Sequence, residues 1–179
     1  RTAVALSALT ETPVRIRKIR AGRPKPGLAA QHCTAVRAVA LACGAALEGC
    51  SAGSDTLVFE PGEIRRTTIA LDIGTAGSIP LVLQAMAPVA LVHGGSITLT
   101  GGTEVEKSPT IDHFMQVFLP LLRAHGAEVR WGAARGYYQA CRGLVHETAG
   151  PSPPTRIDPP RITHEVRILA NKDFVEALD

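Results

Sequence analysis

The sequence predicts a mixed α+β fold, from three observations. Apolar residues recur at helical spacing in some stretches and alternate in short ones, the two patterns follow each other along the chain, and Gly or Pro turns separate them. The order helix, strand, helix, strand, strand is then met again in similar form, without sequence self-similarity between the two runs. A chain of 179 residues with 45% hydrophobic and 20% charged residues can bury one good core.

Spacing predicts a first helix over residues 2–9, ended by Thr10-Glu11-Thr12-Pro13, and a strand over 14–19. A basic loop leads into a helix over 29–43 stopped by Gly44, then strands over 46–49 and 56–59 closed by Pro61-Gly62. The second run reads as a strand over 66–73, a helix over 76–86, strands over 89–93 and 96–100, a helix over 111–125 and a strand over 127–131. The Pro-rich stretch 148–160 cannot continue a helix or a central strand and reads as a linker, followed by a strand over 162–169 and a short helix over 172–178.

Composition argues against disorder and against a membrane span: the apolar run 79–92 is interrupted by Pro80, Gln84 and Pro88. The formal charge of +3 is modest, but Arg15, Arg17, Lys18, Arg20, Arg23 and Lys25 crowd into one stretch, so the patch is local. Cys33, Cys43, Cys50 and Cys141 show no zinc-like spacing. Cys33 and Cys43 fall on apolar helix positions, as buried thiols of a reducing cytoplasm would.

The chemistry-bearing residues gather around Ile19-Arg20-Ala21-Gly22-Arg23-Pro24-Lys25-Pro26-Gly27-Leu28. Arg20, Arg23 and Lys25 sit on a backbone stiffened by two prolines, which suits fixed cations facing an anion, although such a loop also serves as a solvated strand-to-helix connection. Gln31 and His32 follow at the start of a helix, where free N–H groups and the dipole favour anions; for His32 an equal alternative is a hydrogen bond that holds the loop. Gly74-Thr75-Ala76-Gly77-Ser78 could cradle a phosphate with its N–H groups or simply turn the chain. Gln84, a lone amide on an apolar helical stretch, needs a partner. Asp72, Glu104 and Asp112 are conceivable Mg²⁺ ligands but are also ordinary surface or capping carboxylates, so no metal ligand is assigned. His93, His113, His125, His146 and His164 occupy places usual for solvated or capping histidines, and no catalytic residue is assigned in this chain.

The run from Ile19 to Val36, with Gln31-His32-Cys33-Thr34-Ala35-Val36, resembles the RNA 3'-terminal phosphate cyclase family. The resemblance continues through Cys43-Gly44-Ala45, Phe59-Glu60-Pro61-Gly62, Ile73-Gly74-Thr75-Ala76-Gly77-Ser78, Leu81-Val82-Leu83-Gln84 and Gly101-Gly102-Thr103. It implies a body of repeated βαβαββ units, each a sheet with helices on one face, here over residues 1–150, with the first unit lacking its opening strand and residues 151–179 leading into a small inserted domain. It implies ATP and Mg²⁺, or another divalent cation, as cofactors and RNA 3'-phosphate ends as partner. The activity implied is ATP-dependent conversion of the 3'-phosphate to a 2',3'-cyclic phosphate through a His-AMP intermediate and an adenylated RNA end. Matched residue by residue, Arg1, Arg20, Arg23, Lys25, Gln31 and His32 become phosphate or RNA ligands and Gln84 an ATP ligand. The turn after Arg20, the start of the following helix and the Gln84 helix are expected to line one cleft. The adenylated His is expected beyond Asp179, so the chain by itself is expected to be inactive. The opening Arg1-Thr2-Ala3, inside a helical pattern, likewise suggests a cut chain.

The sequence departs from the family near Tyr137-Tyr138-Gln139-Ala140-Cys141-Arg142, where an aromatic pair is followed by Pro and glycines in the family, which puts the local turn in question. Two other readings remain open: a non-catalytic cyclase-like protein of ribosomal RNA processing, and an enolpyruvyl transferase-like enzyme, whose fold uses related units but has no counterpart to the Ile19 to Val36 run.

Overall fold

In the computed structural model, residues 1–65, 68–75, 77–124, 128–132 and 162–169 are described. The expected linker and final short helix, the Tyr137 to Arg142 departure, Cys141, His125 and His146 lie outside them.

The fold is α+β. Helix α1 (Thr2–Leu9) leads to β1 (Val14–Ile16), the basic loop to α2 (Ala30–Cys43), and then β2 (Ala46–Glu48) and β3 (Leu57–Glu60). The second run comprises β4 (Thr68–Asp72), α3 (Ile79–His93), β5 (Gly95–Gly101), α4 (Ile111–His113) continuing through a π-helical turn (Phe114–Phe118) into α5 (Leu119–Ala124), β6 (Glu128–Gly132) and β7 (Ile162–Leu169). The strands form two sheets, in the orders β1-β3-β2 and β4-β5-β7-β6.

The repeat foreseen in element order is a repeat of topology. β1 and β2 pair antiparallel with the central β3, as β5 and β6 do with β7. β4 adds a parallel neighbour to β5, with Thr68 opposite Ser96 and Asp72 opposite Thr100. Beside β1, among the described residues, that place has no strand. The second unit therefore reads βαβαββ in full, and β7 supplies its last strand. Residues 162–169 form the expected strand, and they extend the second sheet rather than opening a new one.

β1 ends at Ile16 rather than at residue 19, the helix expected over 111–125 passes through a π-helical turn, and the largest difference from expectation is at α3. The helix read over 76–86 and the strand read over 89–93 are one helix, α3, because its two prolines do not act as breaks. Pro80 sits in the first turn, where its missing N–H has no helical partner to lose. Pro88 removes the N–H that would pair with the Gln84 carbonyl, but Val82, Leu83, Met86, Val89 and Ala90 are buried around it, and their burial outweighs one lost bond. Gly94 then ends the helix at φ 70°, and the alternation of β5 buries Ile97 and Leu99.

The core runs through both units. α1, α2 and α3 pack on one another, with α1 also against β1 and β3, and α3 against β5 and β7. Val4, Ala8, Val39, Phe59, Ile79, Leu83, Leu99 and Phe114 all belong to one buried cluster, which includes Cys43; Cys33 and Cys43 are both buried free thiols, at 4% and 1% exposure. No helix among the described residues is long and apolar enough to cross a membrane.

Candidate anion-binding site

The basic loop is held in shape by backbone it does not itself contain. Ile19 N–H donates to the Asp55 carbonyl at 2.9 Å, Leu28 N–H to that of Ser54 at 2.8 Å, and Gly53 N–H to that of Leu28 at 2.7 Å. The β2–β3 connection is thus a splint along the loop, a role with no local signal in the sequence. Gly27 makes the close approach possible: its φ is 79°, and a Cβ there would lie 2.2 Å from the Gly53 carbonyl oxygen. The loop closes on itself through Gly27 N–H to the Ile19 carbonyl at 2.8 Å and Arg20 Nη1 to the Gly27 carbonyl at 3.0 Å.

Arg20 is consequently a fixed cation. Its backbone has φ 54°, a left-handed conformation that a non-glycine residue adopts only when its surroundings hold it there. One N–H of the guanidinium is spent on Gly27, and the planar fork has others to offer an oxyanion.

His32 lies on the first turn of α2, where its Nδ1 accepts from Ala29 N–H at 3.0 Å and its own N–H donates to the Ala29 carbonyl at 2.9 Å. The helix start has no Ser, Thr or Asp at its cap, and this imidazole supplies the missing acceptor. Of the two readings open for His32, the hydrogen bond that holds the loop is present. The other ring nitrogen is thereby assigned the proton, so the neutral ring presents an Nε2–H donor. Burial first, then the charges of Arg1, Arg20 and the terminal ammonium, push its pKa down to about 4.

Arg1, Arg20 and His32 border one cavity of about 310 Å³, whose apolar lining includes Val4, Ile16, Ile19, Leu28, Val36 and Leu57. Arg1 reaches it from the N-terminus of α1, Arg20 from the loop after β1, and His32 from the start of α2. Three separate elements of the first unit thus meet at one cavity.

Other candidates stand elsewhere. Arg23 and Lys25 lie on the exposed tip of the loop and are not among the residues lining this cavity. Neither is Gln84, half-buried on α3 about 9 Å along the axis from Ser78, so the single cleft expected to include Arg23 and Gln84 is not this cavity. The Gln84 carboxamide makes no hydrogen bond among the described residues.

Gln31 does not line this cavity, and its Oε1 accepts from Ser78 N–H at 2.8 Å. The donors of the Gly74 to Ser78 turn are largely taken in the same way, Gly74 N–H by Asp72 Oδ1 at 2.7 Å and Gly77 N–H by Thr75 Oγ1 at 3.2 Å. That turn is therefore a joint between the units more than a phosphate cradle. Asp72 braces it, and Glu104 Oε1 accepts from Ile111 N–H at 3.4 Å. Among the described residues no group of three or more His, Cys, Asp or Glu is placed to hold a metal ion.

An α+β protein of two like-wound units, with two arginines and a neutral imidazole donor converging on one cavity, is suited to binding an oxyanion. Comparison with known proteins places it further. The family model described as RNA 3'-terminal phosphate cyclase matches residues 1–163, and the chain belongs to that family. It is 46% identical over 155 residues to an RNA 3'-terminal phosphate cyclase of Archaeoglobus fulgidus, covering 85% of this chain and 47% of the relative. It is 45% identical over 159 residues to one of Nitrosospira multiformis, covering 87% and 45%. A relative of the same name from Methanopyrus kandleri is 44% identical over 162 residues, covering 89% and 46%. The chain thus spans about half the length of the curated relatives it matches.

Proposed function

We propose that this chain provides the phosphate-gripping part of an ATP-dependent RNA 3'-terminal phosphate cyclase, a ligase-type enzyme of the cytoplasm. The observation that carries the reading is the convergence of Arg1, Arg20 and His32 on one cavity. Both substrates the reading requires, ATP and an RNA 3'-phosphate, present phosphate oxygens to such a site.

The overall conversion transfers AMP from ATP to an enzyme His with release of diphosphate, and then to the RNA 3'-phosphate. Attack by the adjacent 2'-OH closes the 2',3'-cyclic phosphate and releases AMP. Each step gathers charge on non-bridging oxygens, which fixed guanidinium groups stabilise without moving. Arg20 and Arg1 would hold those oxygens, and His32 would donate to one while remaining neutral. Arg23 and Lys25 fit an outer role, drawing the RNA backbone toward the loop, and Gln84 offers its free carboxamide to the nucleotide. A divalent cation bound with ATP would neutralise further phosphate charge, and no step is assigned to it.

Neither His32, His93 nor His113 has the setting of the nucleophile. His32 has committed one nitrogen to a helix start, and His93 and His113 are exposed at helix positions. The chain is therefore expected to bind RNA 3'-phosphates and ATP without becoming adenylated.

The test is titration of a labelled RNA ending in a 3'-phosphate against the native chain and the Arg20→Ala variant, with a 3'-OH RNA as control. Native binding should favour the phosphorylated end and weaken as salt rises, with a slope near 0.7 per phosphate contact. Arg20→Ala should erase the preference for the phosphate. Equal binding of both ends by native protein would overturn the reading. In parallel, α-labelled ATP should leave no acid-labile label on any of the six His of the chain.

A further inference from the structure

We propose that Gln31 is a positioning residue that sets the two units of the fold in register, rather than a phosphate ligand. The inference rests on the binding function proposed above and adds to it the device that holds its parts in place.

α2 belongs to the first unit and α3 to the second. Apolar helix surfaces attract without fixing a register to within an ångström, whereas a directional hydrogen bond does fix one. Gln31 Oε1 accepts from the N–H of Ser78, the residue that caps α3 with its own Oγ toward Leu81 N–H. The same short segment is pinned on its other side to the end of β5. Gly102 N–H donates to the Gly77 carbonyl and Ile79 N–H to the Gly102 carbonyl, both at 2.9 Å. The start of α2 is therefore tied through Gln31 to the start of α3 and onward to the second sheet.

A second observation points the same way. A Cβ added at Gly77 would lie 3.0 Å from Gln31 Cβ and 2.8 Å from Ile73 Cγ2. The joint is built for contact at closer range than a side chain at position 77 allows. The neighbour of Gln31 in sequence is His32, and α3 carries Gln84. One bond thus relates the placement of the His32 donor to that of the Gln84 helix.

Three variants test this. Gln31→Leu removes the acceptor at nearly constant volume, Gln31→Glu keeps an acceptor while removing the amide donor, and Gly77→Ala forces the joint apart without deleting any polar group. Amide hydrogen exchange by NMR on the whole chain should show Ser78 exchanging at least tenfold faster in Gln31→Leu and Gly77→Ala, and near the native rate in Gln31→Glu. The His32 pKa, followed by ring chemical shifts, should move from about 4 toward 6.5 in the first two variants and less in the third. Affinity for the 3'-phosphorylated RNA should fall several-fold in both Gln31→Leu and Gly77→Ala.

An unchanged Ser78 exchange rate in Gln31→Leu overturns the proposal. So does loss of RNA affinity in Gln31→Leu with native affinity in Gly77→Ala, the pattern of a direct ligand. If the native chain shows no preference for a phosphorylated RNA end, the binding function fails on its own, while Ser78 exchange and the His32 pKa still decide whether the clasp exists.

Discussion

Neutral His32 makes the stability of the chain depend on pH in a definite direction. Its folded pKa, about 4, lies below the ordinary 6.5, because burial and then Arg1, Arg20 and the terminal ammonium oppose the imidazolium. Above pH 6.5 the ring is neutral in both folded and unfolded chains and carries no penalty. As pH falls from 6.5 toward 4 the unfolded chain takes up the proton first, so stability drops; below about 4 the folded ring protonates too and the slope ends. The full shift corresponds to up to about 3 kcal/mol, lessened by the ring's partial exposure. Urea midpoints from pH 7 to 4 should fall more steeply for the native chain than for His32→Ala, which in turn should be about 1 kcal/mol less stable at pH 7 for want of the acceptor to Ala29 N–H. Parallel pH curves would show that the ring titrates normally. At this scale the sequence revealed which residue types gather near Arg20, but not their partners. Gln31 and His32 are both polar residues at a helix start, and only the fold shows one reaching Ser78 and the other Ala29.

The basic loop owes its shape to Gly27 more than to its prolines. Gly27→Ala would place a Cβ 2.2 Å from the Gly53 carbonyl oxygen at a φ of 79°, where both the contact and the backbone oppose it. It should cost about 2 kcal/mol or more and weaken RNA binding by letting Arg20 leave its place. Gly22→Ala in the same loop meets nothing within 4 Å and has no positive φ, so it should be neutral or slightly stabilising. Thermal melting and RNA affinity of the pair separate the two cases, and equal behaviour would show that the splint from Gly53 to Asp55 does not shape the loop. Elements with strong local signals were legible: α1, α2 and β3 lie within a residue of their expected places, because periodicity and the stop at Gly44 act locally. α3 differs from the expected helix and strand, because Pro88 carries a local cost that burial of the whole helix exceeds, and that burial comes from α1, α2 and the second sheet.

The repetition of two like-wound units was visible as an order of elements, yet the pairing of their strands was not. β6 and β7 are separated by residues 133–161, and a contact across such a distance leaves no local trace in sequence. The Pro-rich stretch suggested a boundary, whereas the strand after it lies at the centre of the second sheet, between β5 and β6. The two arrangements make opposite predictions for a chain ended after Gly132. If residues 162–169 served a separate domain, their removal would leave the melting of the second unit unchanged. With β7 central, the shortened chain loses the antiparallel partner of β5 from Gly95 to Gly101 and the neighbour of β6 from Glu128 to Gly132. β6 should then fray, and β5 should become a bare edge prone to self-association. Hydrogen exchange should show protection lost in β5 amides that face β7 and retained in those that face β4, while β1 to β3 change little. Size-exclusion chromatography should show added oligomers. A shortened chain that stays monomeric and keeps native protection along β5 would remove β7 from the sheet.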